Sequence, residues 1–165
     1  MLLQWAELEG FPDYAINELG EIGNMKTGMP RKLSINQQGI PMVSLYAENG
    51  RPYTRSVAVL VANAFIPEER PHFDTPIHLD GDRLNCRVDN LAWRPRWFAI
   101  KYHKQFRYED FYNIQVHLVE LETGQHYESV KDACTTNGLY FQDVIKSYVE
   151  GTFVFPTEQE FRLIP

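Results

Sequence analysis

The chain has 165 residues, 44% of them hydrophobic and 13% aromatic. That is enough apolar matter for a packed core, and it excludes wholesale disorder. No stretch is long and apolar enough to span a bilayer, and the opening residues 1–7 are too short and too acidic for a secretory signal. Net charge is −6, which weighs against a sequence-independent grip on nucleic acid by the chain as a whole. Distribution matters more than the total. Residues 108–165 hold ten acids and three bases, whereas 83–107 hold seven bases and a single acid, Asp89. Cys86 and Cys134 form no spaced pair, so zinc clusters and disulfides are not expected, and a cytoplasmic setting is.

Taken in chain order, three compact segments are expected. Residues 1–56 read as a small antiparallel sheet. Short apolar runs such as 42–46 are broken by turn residues, and Asn49-Gly50 is a strong hairpin signal. Residues 57–107 open with Val57, Leu60, Val61 and Ala64 on one helical face, stopped by Pro67. A strand then enters the Asp80-Gly81 turn, 88–93 reads as the returning strand, and 97–105 as a helix. Residues 108–165 begin with the alternating Ile114, Val116 and Leu118, and turn at 122–125. Ser129 is a good N-cap for a helix through about 136, and Asn137-Gly138 ends it. A second helix covers 141–150 and stops at Gly151. Helix, short glycine-containing turn, helix is the spacing of a helix-turn-helix unit. The fold class is α+β: a small antiparallel sheet, a hairpin-helix core and a C-terminal ββαα module.

The most informative run is 77–93. His78 ends a strand and is followed by an Asp-Gly turn, then by Asn85, Asn90 and Trp93. This spacing resembles the HNH motif of the ββα-metal nucleases. The run 60–67 is similar to the helix that precedes the motif in HNH homing endonucleases of phages and mobile introns. The segment from Trp5 to Gly20, and the paired helices of 108–165, look like that family's flanking modules. A metal-dependent nuclease of this kind needs a neutral His as general base and hard ligands for the cation. The resemblance implies His78 as the general base. Asn90 would brace the hairpin or orient His78, with Asn85 and Trp93 as the other motif residues.

The chain departs from the pattern at the positions that would hold the metal. The residue before the histidine is Ile77, the helix ligand position falls on Ala99, the upstream histidine position on Ala58, and the second asparagine on Cys86. No metal ligand is therefore assigned and no cofactor is expected, with Mg²⁺ or Mn²⁺ entering only if Asp74, Asp80 or Asp82 compensates. Read without the motif, His78 is a satisfied buried histidine, Asn85 and Asn90 bond local backbone, and Trp93 is core. His72 and His103 read as surface residues, and both cysteines as small buried hydrophobes.

Nucleic-acid contacts are expected from Arg83, Arg87, Arg94, Arg96, Lys101, Lys104 and Arg107, which are interleaved with aromatics, and from Gln142 and Lys146 on the last helix. Asp143 and Glu150 on that helix would repel phosphate, so the acidic C-terminal module also fits a protein partner. Three functions stand open. The chain is an inactive HNH-like protein reused to bind double-stranded DNA or a protein partner. Alternatively it is an active endonuclease or nickase with rearranged ligands, or a virion component or inhibitor of a host protein with no DNA role.

Overall fold

The structure is a computed structural model, and it describes residues 2–68 and 70–165. Met1, the first residue of the opening stretch, lies outside them. Among the described residues no helix is long and apolar enough to cross a membrane. The fold is mixed α+β, built from small antiparallel sheets and short helices, as the sequence leads one to expect. The chain divides into two compact units. The first comprises residues 1–78 and 82–93, the second 79–81 and 94–165. The division falls inside the segment 57–107.

Unit one begins with two three-stranded sheets where a single sheet was expected. One contains β1 (Trp5–Leu8), β2 (Phe11–Asn17) and β3 (Ile22–Asn24), in that order. The other contains β4 (Ser34–Ile35), β5 (Pro41–Tyr46) and β6 (Pro52–Ser56), also in order. The Asn49-Gly50 turn joins β5 to β6, with Gly50 in the left-handed region at φ +75°. The period-two pattern of β5 buries Val43 and Leu45 and exposes Ser44 and Tyr46. Helix α1 (Val57–Phe65) is apolar almost all round and buries Val57, Ala58, Leu60, Val61 and Ala62. It ends where expected: Ile66 is extended, because the ring of Pro67 disfavours helical backbone at the residue before it. Phe11, Ile16, Leu45 and Val61 join one buried cluster that also takes in Cys86 and Leu91.

The turn between β2 and β3 is organised by Asn17, which is fully buried. Its carboxamide oxygen accepts the N–H groups of Leu19 and Glu21, each at 3.0 Å. Gly20 in this turn has φ +84°, and a Cβ there would stand 3.2 Å from Val57 Cγ1 and 3.5 Å from Cys86. Only glycine allows this approach without strain. The neighbouring Glu18 carbonyl accepts the Val88 N–H at 2.9 Å. The β2–β3 turn therefore buttresses the loop that carries Cys86.

Strands β7 (Thr75–His78) and β8 (Leu91–Arg94) pair as a two-stranded sheet. Residues Val88–Asn90, read above as the start of the returning strand, form a 3₁₀ turn, and the strand begins only at Leu91.

Unit two contains α2 (Arg96–Gln105), α3 (Glu109–Asn113), β9 (Leu118–Glu120), β10 (His126–Tyr127), α4 (Val130–Asn137), α5 (Phe141–Glu150) and β11 (Phe161–Leu163). The alternation of Ile114, Val116 and Leu118 does not make a long strand. A helical turn precedes it, and only Leu118–Glu120 pairs, between β10 and β11. Ile114 and Val116 pack against the unit's core instead. Ser129 caps α4 as expected, its hydroxyl accepting the Asp132 N–H at 3.0 Å, and Gly138 and Gly151 end α4 and α5 in the left-handed conformation. Glu120 is buried at the β9–β10 turn. Burial acts to raise its carboxyl pKa, but the Thr123 hydroxyl and the N–H groups of Glu122 and Thr123 outweigh that and hold it below the usual range.

Gln105 is fully buried on α2. Its amide donates to the Leu139 carbonyl at 3.1 Å and its oxygen accepts the Phe141 N–H at 2.9 Å, so one side chain satisfies both sides of the α4–α5 turn. Gln105→Leu keeps the volume but orphans two buried backbone groups, each costing roughly 1–3 kcal/mol. Chemical denaturation is expected to show a loss of about 2 kcal/mol or more, whereas an unchanged midpoint would mean that water replaces the amide.

Candidate functional site

His78 is the last residue of β7 and is 4% exposed. The loop that faces it within unit one is closed by local hydrogen bonds. Asp82 accepts the Leu84 N–H at its carboxylate (2.9 Å) and the Asn85 N–H at its carbonyl (3.1 Å). The Asn90 carboxamide donates to the Asn85 carbonyl at 2.9 Å. These bonds turn the chain so that Cys86 points inward, with its Sγ 3.8 Å from His78 Nε2 and 3.6 Å from the Arg83 carbonyl. Trp93 is buried, and its indole N–H donates to the Ile66 carbonyl at 3.0 Å, tying β8 to the end of α1. The Asp-Gly turn has a tight constraint in unit two. Gly81 lies at φ +78°, and a Cβ there would fall 2.5 Å from the Phe106 ring.

Burial pushes the Cys86 thiol up to about 11. The Asp82 charge adds to the rise, and a backbone hydrogen bond from Ala58 opposes it. Positions 58, 78 and 86, distant in sequence, therefore converge in unit one. Their side chains are a methyl, an imidazole and a protonated thiol. Ile77, which precedes His78 in β7, is fully buried, and Ala58 is 2% exposed. In unit two Ala99 is buried on α2. A hard divalent cation requires oxygen donors around it, and this set does not fit one. Asp74 bonds the Thr75 hydroxyl at 3.0 Å, and the Asp82 carboxylate is turned to its own loop. Among the described residues no three His, Cys, Asp or Glu side chains converge as a metal site.

The basic residues fall into two groups. In unit one Arg83 is half-buried, and Arg87 is exposed and paired with Asp89 at 3.2 Å. In unit two Arg96, Lys104 and Arg107 are exposed. Arg94 donates to the carbonyls of Asn137 (2.9 Å) and Gly138 (3.2 Å), and so caps the end of α4. Lys101 pairs with Asp143 at 2.9 Å and sits 4.5 Å from the centre of the Tyr140 ring. These two cations serve unit two's own packing. Gln142 is exposed on α5, and Lys146 is 3.8 Å from Glu150. Sequence reading gave Gln105 no role beyond the end of a helix, took Asn17 only as part of the N-terminal resemblance, and took Tyr102 as one of the aromatics of the basic run. Asn17 stands two residues before Leu19-Gly20, a spacing that signals a side-chain-capped turn. Nothing local marks Gln105. Tyr102 is fully buried, and its hydroxyl donates to the Leu79 carbonyl at 2.7 Å, anchoring residues 79–81.

No family model matches the chain. Over 93 residues it is 34% identical to an uncharacterised HNH endonuclease of Acanthamoeba polyphaga mimivirus, a match covering 56% of this chain and 27% of the relative. The chain thus spans about a quarter of the length of that curated relative. A solved structure of DNA binding and cleavage by the HNH homing endonuclease I-HmuI superposes with a TM-score of 0.54, at 23% identity, over 98% of each chain. The two share a fold. The resemblance read from residues 77–93 is borne out.

The raised thiol pKa has a direct consequence, because the thiolate is the reacting species. Cys86 is protonated until the pH nears 11, so maleimide labelling at pH 8 is expected to be about a hundredfold slower than for an exposed cysteine. Unfolding in urea should abolish the difference. Fast labelling of Cys86 in the native chain, mapped by mass spectrometry, would show that its burial beside His78 is wrong.

Proposed function

Proceeding from a chain that is similar to HNH endonucleases and shares the fold of one, we propose that it is a DNA-binding relative of these enzymes without metal-dependent cleavage. The observation that carries this reading is the surround of His78. The histidine that would act as general base is kept, but it faces the Cys86 thiol, and the residue before it in β7 is the buried Ile77. A phosphodiester is cut in such a site only when a cation neutralises the developing charge and holds the attacking water. Imidazole is a borderline donor, a neutral thiol is a weak one, and the alkyl side chains of Ala58 and Ile77 offer no lone pair. His78, Asn85, Asn90 and Trp93 then act as the struts of a hairpin that has outlived its chemistry.

Double-stranded DNA is the proposed partner, in a phage or mobile-element setting. The exposed cations Arg96, Lys104 and Arg107 of unit two support phosphate contacts, and the exposed Arg87 of unit one would join them on release from Asp89. Arg83 at the edge of the hairpin loop belongs with them. Arg94 and Lys101 are left out because the unit's own carbonyls and carboxylate hold them. Helix α5 is also left out, since Asp143 and Glu150 lie beside Gln142 and Lys146. The segments 1–56, 57–107 and 108–165 are read as three modules of descent.

One preparation tests both halves of the proposal. With Mg²⁺ or Mn²⁺ the chain should leave supercoiled plasmid intact, and it should shift a labelled duplex with an affinity that falls as salt rises. Replacing Arg96, Lys104 and Arg107 together by Ala should reduce the slope of log affinity against log salt by about 2–3. Nicking that disappears in His78→Ala would overturn the loss of cleavage and point to compensation by Asp74, Asp80 or Asp82. Absence of any shift at low salt would overturn DNA binding.

A further inference from the structure

Unit one carries a groove of about 680 Å³ between β1 and α1 that the hairpin chemistry does not use. Its apolar lining includes Leu8 and Phe11 from the sheet, Leu60 from α1 and Ile66 just past the helix. Glu7, Glu9 and Glu68 line it as well, and all three are exposed. A second depression shares Glu7, Leu8 and Glu9 and adds Glu48. Arg55 is the cation of the larger groove, and its guanidinium lies over the rings of Phe11 (5.6 Å) and Tyr53 (4.9 Å). The two depressions, on either hand of Glu7, Leu8 and Glu9, together have four carboxylates and one ring-stacked cation in their linings.

We propose that this groove docks an extended, cationic segment of a protein partner, with Lys or Arg alternating with apolar residues. Charge decides the class of occupant. Carboxylates on a partly apolar surface attract a basic side chain and repel a phosphate backbone, so the groove is not a second DNA contact. Its backbone decides the conformation. β1 is the edge strand of its sheet, and residues Ala6–Glu9 run along the groove. An edge strand is where an extended segment adds, with side chains alternating between the groove and the rim. The apolar positions would seat against the half-buried Val59, Ala64 and Ile66, with Leu8, Phe11 and Leu60 beneath them, and the cations against Glu7, Glu9 and Glu68. The docking is independent of whether the chain binds or cuts DNA.

The test uses the full chain and a fluorescent peptide alternating Val and Lys, followed by anisotropy. The peptide should bind with a salt-sensitive affinity, and a Val/Glu peptide of equal length should not bind. The triple substitution Glu7→Gln, Glu9→Gln, Glu68→Gln should weaken binding about tenfold, from three exposed ion pairs of modest strength. Val59→Lys, at a half-buried lining position, should weaken it as well by setting a cation where the partner brings one. Unchanged melting temperatures establish that both variants are folded. The proposal is overturned if both peptides bind equally or if the triple variant binds as the parent does. It is overturned equally if the triple substitution weakens duplex DNA binding, or if light scattering shows a second copy of the chain filling the groove.

Discussion

The hydrogen bond from the Asn90 carboxamide to the Asn85 carbonyl closes the loop on which the candidate site depends. With the loop closed, Cys86 turns inward to His78, Val88 reaches the Glu18 carbonyl, and Leu91 enters β8 in register for Trp93 to bond Ile66. Each of these is a modest interaction, on the order of 1 kcal/mol. They share one short loop, so loss of the first would loosen all the others. Such a loop is worth keeping for its shape alone. On the proposed reading, this is how a hairpin can keep its motif asparagines and tryptophan while Ile77, Ala58, Ala99 and Cys86 stand at the positions that would hold a metal.

Much of this arrangement was legible in the sequence. The elements α1, α2, α4 and α5 follow from apolar spacing, from the cap at Ser129 and from glycine or proline at their ends. The hairpin residues His78, Asn85, Asn90 and Trp93 were legible as a spaced motif, and the departures at Ile77, Ala58, Ala99 and Cys86 as gaps in it. Other features were hidden because they are made by distant partners. Gln105 reads as one more polar residue near the end of a helix. Its value appears only when the Leu139 carbonyl and Phe141 N–H arrive from more than thirty residues away. Arg94 and Lys101 sit in a basic run that looks like a phosphate-tracking face. A carbonyl pair at the end of α4 and the carboxylate of Asp143 claim them instead. The alternation of 114–118 misled for a related reason: three apolar residues at period two also describe an irregular segment laid over a core.

Both units carry charges of both signs. Unit two contains the acidic C-terminal third together with the exposed cations of α2. Unit one pairs an acidic, partly apolar groove with the histidine hairpin. The proposed DNA contacts are cations and the proposed docking groove is mainly acidic, so each carries the charge sign that its proposed partner calls for. Fold alone would not assign either role. The assignments rest on which side chains are exposed, and which are already held by the chain itself.

The central claim is that the surround of His78 no longer holds a hard divalent cation. The most direct measurement is paramagnetic broadening of the His78 imidazole signals on titration with Mn²⁺, with His72 and His103 as internal references. The account predicts that His78 broadens no more than those two histidines. Selective broadening of His78 at low Mn²⁺, reversed by excess Mg²⁺, would contradict it and return the hairpin to the metal-dependent nucleases.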